Sequence, residues 1–288
     1  MIALAGIGVV IAAVVGGYLV AGGKLLVLVQ PAEYIVILGA ALGSMLIANG
    51  PAVIKNLIKQ VLNLHKSGPS KKDYLDILVM AYELLTIARR DGVMALEAHI
   101  EHPEESAIIG KYPSFAANHH AVGFLSDTMR LIISGSGIQS HDLDALMDLD
   151  LEVRHYEHGR PSRVLQVVGD ALPGLGIVAA VLGIVITMQA IDGPPEQIGE
   201  HVGAALVGTF LGVLCAYGFV QPMAANLAVK ADESQSYFRA LKQVLLSFHK
   251  GSVPAIAVEF ARRSLPSDVR PGFTELEDAC RATRGGGA

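Results

Sequence analysis

The chain has 288 residues, is 52% hydrophobic and only 17% charged, and carries a net charge of -5; its mean hydropathy is +0.46. Such an apolar excess is rare in a soluble domain and predicts a membrane protein. An acidic balance without a basic stripe excludes nucleic acid as an expected partner, and Cys215 and Cys280 lie in surroundings too different for a disulfide or metal framework.

Four apolar runs, 1–23, 34–49, 171–191 and 202–220, hold at most one charged residue each. A hydrocarbon layer of about 30 Å takes roughly 17–25 residues, so each run is predicted to span it. The first resembles a signal peptide in position, yet it lacks a basic leader and its apolar run is too long for one. Between them the short loops after runs one and three hold only Lys24, whereas the segments 51–169 and 221–288 hold the other Lys and Arg residues. The positive-inside tendency makes those two segments, and both termini, cytoplasmic.

The first polar segment opens with PAVIKNLIKQVLNLHKSG, amphipathic at helical spacing, and breaks at SGPSKK. In KDYLDILVMAYELLTIARRDGVMALEAHIE the apolar positions Leu75, Leu78, Tyr82, Leu85 and Ala88 recur every three or four residues, the mark of a helix with one buried face. EHPEES is a break with acidic residues suited to a first helical turn. Another helix follows in AVGFLSDTMRLIISGSG, and Ser140 is the expected N-cap of the next. From 199 to 249 the helical pattern is interrupted only by Pro222, a length of about 75 Å at 1.5 Å per residue. The fourth span is therefore expected to continue as a cytoplasmic stalk. RATRGGGA shows no periodicity and is expected to be disordered. No strand-like alternation occurs.

The fold class is all-α: a polytopic membrane protein with four transmembrane helices and a helical cytoplasmic domain. The expected divisions are 1–50 for the first two spans, 51–168 for the cytoplasmic domain, 169–224 for the other two spans, and 225–288 for the stalk and tail.

Pro173 and Pro222 each remove a backbone donor near the cytoplasmic end of a span, at corresponding depths. Either both merely kink their helices, as prolines in membranes often do, or they form a paired hinge. Gly39 and Gly43, Gly199 and Gly203, and Gly208 and Gly212 are small-xxx-small pairs expected at helix contacts. Spans three and four carry no deep ionisable group, only Thr187, Thr209 and Tyr217, so any carboxylate for ion movement would have to come from a partner chain. Asp170 reads as a solvated interfacial residue. Arg89, Arg90 and Glu97 cluster on the long cytoplasmic helix, as a solvated face or a docking surface for a charged partner. His119 and His120 lack a third ligand at metal spacing. Phosphate loops, nucleophile elbows and paired carboxylates are absent, so no enzyme is expected.

LPGLGIVAAVLGIVITMQAI and VGAALVGTFLGVLCAYGFVQPMA, with ARRDGVMALEAHIEHPEESAI and HHAVGFLSDTMRLIISG, closely resemble the MotA/TolQ/ExbB proton-channel family, and within it the flagellar stator subunits. The likeness extends over almost the whole chain. It implies a homopentamer in the bacterial inner membrane around two copies of a MotB-like partner, a single-span, peptidoglycan-anchored protein bearing the proton-accepting aspartate. It also implies that ion flow drives the rotor protein FliG. On that pattern Arg89 and Glu97 are rotor-contacting, with Arg90 adjoining; Pro173 and Pro222 are the coupling prolines; Thr209 lines the channel. Sodium-driven relatives carry threonine where this chain has Ala180, which predicts protons as the coupling ion and no cofactor or metal. An ExbB/TolQ-like subunit energising outer-membrane processes is the alternative; a secondary transporter would need a midplane site in broken helices, of which there is no sign.

Overall fold

The computed structural model describes residues 2–65, 68–135, 137–189 and 191–285, and among these every regular element is helical. In chain order the main helices are α1 (Ile2–Val20), α2 (Pro31–Ala48), α3 (Pro51–Leu62), α4 (Lys71–Asp91), α5 (His119–Ile133), α6 (Ser140–Gln189), α7 (Pro195–Val213), α8 (Gln221–His249), α9 (Pro254–Ser264) and α10 (Phe273–Gly285). The seven residues Leu214–Val220 between α7 and α8 wind as wider π-type turns, so Pro195–His249 is helical throughout. Four helical stretches are long and apolar enough to cross a membrane: Ile2–Val20, Leu25–Ala48, Ser140–Gln189 and Pro195–His249.

Contacts divide the chain into two compact units, one of residues 1–66 and 158–230, the other of 67–157 and 231–288. Each boundary lies on the polar side of the membrane edge expected from hydropathy. The first unit therefore holds the four apolar runs together with the helical turns that flank them.

In the first unit α1 has no buried residue although it is apolar all round; such a helix is at home only against lipid or another chain. Ile37 and Ala41 of α2 pack with Leu172, Ala179, Val207 and Leu211 of α6 and α7. Leu57, Leu165, Ala224 and Leu227 form a second cluster. Polar ties hold the ends: Ser162 Oγ donates to the Ala224 carbonyl at 2.8 Å. Lys230 Nζ donates to the carbonyls of Asn63 and Leu64 at 3.1 and 2.8 Å, placing a cation where α3 leaves carbonyls unsatisfied.

The second unit is a water-soluble type of core. Ser70 starts α4 with a reciprocal cap: its hydroxyl accepts from the Asp73 amide at 3.3 Å, and its own amide donates to Asp73 Oδ2 at 2.7 Å. The α4 positions singled out by periodicity are buried or partly buried, around Tyr74, Leu78, Met80, Leu85, Phe115 and Phe124. Arg154 lies over the Phe238 ring at 4.9 Å while bonding Asp150 at 2.9 Å, so it satisfies its charge while covering an aromatic face.

Local expectations need three corrections. Pro103–Glu105 form a turn instead of opening a helix, with the Ser106 amide bonded to the Pro103 carbonyl. α6 begins at Ser140 itself, and the Asp142 and Leu143 amides bond to the Gln139 carbonyl, so Ser140 lies inside the helix. α10 continues to Gly285, with Arg281 paired to Glu277 one turn back; 286–288 lie outside the described residues.

An acid-sensitive ion pair stabilises the second unit. The hydrogen bond from Arg262 holds the Glu259 carboxyl down at about 2, against the effect of burial and with help from Arg263. Because that value lies below the ordinary one, its stabilisation is full above about pH 4.5 and is lost as pH falls towards 2. Glu259→Gln is expected to lower stability at pH 7 by about 1–3 kcal/mol, with the difference from wild type vanishing near pH 2. Thermal melts of the detergent-solubilised chain across that range check it.

Candidate ion-path and docking residues

Apolar side chains alone do not bring two membrane helices into close contact, because lipid is equally apolar; close backbone approach needs small residues. α6 and α7 meet through them. A Cβ on Gly176 would lie 2.8 Å from the Gly208 carbonyl oxygen and 3.0 Å from Gly212 Cα. One on Gly212 would lie 2.6 Å from the Leu172 carbonyl oxygen and 2.8 Å from Gly176 Cα. Further along, Gly183 faces Ala205 in the same antiparallel register. Of the three glycine pairs singled out in the sequence, only Gly208 and Gly212 serve this seam; Gly39, Gly43, Gly199 and Gly203 face open space within the chain.

Ala180 and Thr209 lie at the seam. Both are partly buried; the Ala180 amide nitrogen is 3.1 Å from where a Gly208 Cβ would be, and Thr209 Cα is 3.3 Å from where a Gly176 Cβ would be. The structure thus brings the two expected channel-lining positions to one level of one helix pair.

The prolines sit at the end of that seam. Asp170 accepts from Gln166 Nε2 at 3.0 Å and from Gln221 Nε2 at 2.8 Å, which puts Asp170 and Gln221 at one level. Asp170 therefore ties α6 to α8. From that level the antiparallel chains run in opposite directions, so Pro173 and Pro222, both at that end of the seam, differ in height by about one turn, roughly 6 Å. Their backbone effects converge nevertheless. Pro173 cannot bond the carbonyl of Gly169 four residues earlier. Gly169 packs on Val220 and Gln221, the residues just before Pro222. The wide turns of Leu214–Val220 absorb the clash that Pro222 makes with the preceding turn.

In the second unit Arg89 and Arg90 end α4 exposed, and Gly92 at φ +88° turns the chain so that exposed Glu97 starts a short helix, Glu97–Glu101. That helix is fixed on α5 by Arg130, whose Nε and Nη2 donate to the two Glu101 oxygens at 2.7 and 2.9 Å. Arg90 is committed to its neighbour: its Nε and Nη2 donate to Asp91 at 2.9 and 2.8 Å. The bond to Asp91 raises Arg90 and lowers Asp91 from their ordinary values. Of the three charges expected to meet a partner, Arg90 is held by Asp91, whereas Arg89 and Glu97 are presented outward.

The sequence reading missed Glu33. It stands just before the second apolar run, in the first turn of α2, yet only 8% of it is exposed. Its Oε2 lies 2.5 Å from where a Gly208 Cβ would be and its Oε1 3.5 Å from where a Gly183 Cβ would be; Oε2 is buried without a hydrogen-bond partner. The expectation of a partner's carboxylate rested on spans three and four, and Glu33 of α2 adds a carboxylate of this chain at their seam. A single acid two residues after a helix-opening proline, flanked by apolar residues, was the available signal. Among the described residues no group of three His, Cys, Asp or Glu side chains could hold a metal ion.

Residues 4–92 match the family model "Motility protein A N-terminal", and residues 117–240 match "MotA/TolQ/ExbB proton channel family". The chain is 42% identical to "Motility protein A" of Salmonella typhimurium, over 99% of this chain and 96% of that one. It is similar in fold to the solved MotAB structure from C. jejuni, with a TM-score of 0.76 at 19% identity, covering 92% of this chain and 96% of that one. For the flagellar MotAB stator complex from Bacillus subtilis the TM-score is 0.74 at 22% identity, with 93% and 96% covered.

Proposed function

Because this chain belongs to the MotA/TolQ/ExbB proton channel family, we propose that it is a flagellar stator subunit that turns proton flow into torque on the rotor. It crosses the inner membrane four times with both termini inside. Five copies surround two copies of a MotB-type partner, whose single span brings the principal proton-accepting carboxylate. No organic cofactor is needed: the work is mechanical, and the subunit is not an enzyme.

The observation that carries this reading is the seam of α6 and α7 and its end. Glycines hold the two backbones in contact from Gly183 to Gly176, and the seam runs on past Pro173 to Gly169, which packs on Val220 and Gln221 beside Pro222 and the wide turns before it. α6 and α8 are each continuous through that level. A protonation event beside the seam that changes helix packing is passed along unbroken backbone to the cytoplasmic residues. There Arg89 and Glu97 meet the rotor protein FliG.

The coupling ion is the proton. Ala180 offers no side-chain oxygen beside Thr209 to replace part of sodium's hydration shell. Cells relying on this chain are expected to swim in sodium-free medium and to stop when a protonophore is added; swimming strictly dependent on sodium contradicts the assignment. Arg89→Glu is expected to slow swimming without altering membrane assembly, because one exposed charge contributes little to a contact. Tracking of swimming cells and pull-down of the partner check both halves of that statement. An ExbB/TolQ-like role is the alternative, and the motility-type N-terminal segment favours the stator.

A further inference from the structure

We propose that Glu33 is a proton-binding residue of this chain, its carboxyl seated in the α6/α7 seam at the level of Ala180 and Gly208. The proposal rests on the stator reading and deepens it, adding a protonatable group from this subunit to the one its partner supplies.

The site is built from both helices. Gly208 and Gly183 leave the space that the two carboxyl oxygens fill, and a side chain at Gly208 would collide with Oε2. A bare carboxylate enclosed in apolar surroundings is costly unless paired or protonated. The ionisable groups on the elements around it are few. α6 has none between Asp170 and its end at Gln189; α7 brings Glu196, Glu200 and His201; the helical turn Leu25–Leu28, which also contacts α7, follows Lys24; α2 itself adds Tyr34. No salt bridge joins Glu33 to any of them among the described residues. A proton on Oε2 removes the charge without any of these partners.

A polar route leads to it. Thr187, buried, donates to the carbonyl of Gly183 at 2.8 Å, and Gly183 is the residue whose Cβ position lies 3.5 Å from Glu33 Oε1. The register that sets Gly176 against Gly212 and Gly183 against Ala205 sets Thr187 against His201, whose Nδ1 is buried without a partner. Thr187 and His201 thus share one level near the start of α7, and the Glu33 carboxyl lies about one turn further in, roughly 5–6 Å, a gap one bridging water closes. The step is a reversible protonation: an O–H bond forms at Oε2 with a proton from water at that end, and it breaks when the proton passes to the next acceptor.

The test is labelling of the wild-type chain with its partner in native membrane vesicles by dicyclohexylcarbodiimide, an apolar reagent that adds to protonated carboxyls. Peptide mass spectrometry across a pH series is expected to find an adduct on Glu33 whose yield falls as the medium becomes alkaline. No adduct on Glu33, or a yield indifferent to pH, overturns the proposal. Glu33→Gln keeps the shape of the side chain, so it is expected to assemble with the partner, lose the adduct and shift the pH dependence of swimming. An assembled Glu33→Gln complex with an unaltered pH profile removes Glu33 from the ion path. Labelling does not require rotation, so a failure of the stator reading shows separately, as motility that does not depend on this chain.

Discussion

Gly212→Val is expected to prevent the chain from accumulating as a folded membrane protein. The first new atom would lie 2.6 Å from the Leu172 carbonyl oxygen, 2.8 Å from Gly176 Cα and 3.1 Å from Gly176 nitrogen. All three are backbone atoms, so no side chain can rotate out of the way, and the two helices must separate. Overpacking of a tight interior costs about 1–3 kcal/mol and more where backbone must move. Separation also forfeits the close contact of the whole seam, a loss that takes a large share of a typical stability of about 5–15 kcal/mol. Gly123→Ala is the matched control. That glycine lies within α5 with open space around it, so added helix propensity should stabilise by roughly 0.5–1 kcal/mol. Immunoblots of membrane fractions and melting temperatures in detergent distinguish the two; a Gly212→Val chain that accumulates normally contradicts the seam.

Pro173→Ala carries the second large effect, on function alone. Alanine restores the amide that α6 lacks at this position and lets it bond the Gly169 carbonyl. Since alanine also favours helix, the change should leave stability equal or improved. What it removes is the underbonded level at which Gly169 packs on Val220 and Gln221, beside the wide turns before Pro222. Cells with this variant are expected to build normal complexes and to lose most of their torque. Tethered-cell rotation, with partner pull-down as the assembly control, measures it; rotation at wild-type speed shows that the proline does no more than kink the helix.

Much of the fold was legible because one sort of information dominates it. The apolar runs are long enough to announce themselves, and the three- and four-residue spacing of Leu75, Leu78, Tyr82, Leu85 and Ala88 marks the face α4 buries. What was not legible depends on register between helices distant in sequence. The pair Gly208 and Gly212 matches the small-xxx-small pattern as well as Gly39 and Gly43 do, and only the position of α6 decides that the first pair is the close contact. The unequal heights of Pro173 and Pro222 have the same origin, since antiparallel register cannot be read from either span alone. Glu33 escaped notice because hydropathy trims a span at its charged edge, whereas α2 carries that edge inwards beneath Gly183 and Gly208. Arg90 looked equivalent to Arg89 until Asp91 claimed it.

The central claim is that this chain generates torque, and rotation of tethered cells after its controlled return tests it most directly. In the host bacterium with this gene deleted and any other stator genes removed, cells should carry complete filaments that do not turn. Inducing the intact chain alongside its MotB-type partner should restart each motor in discrete increments of speed, one for each stator unit that engages. Filaments that turn at full speed before induction, or that stay still after both chains have assembled in the membrane, would contradict the account.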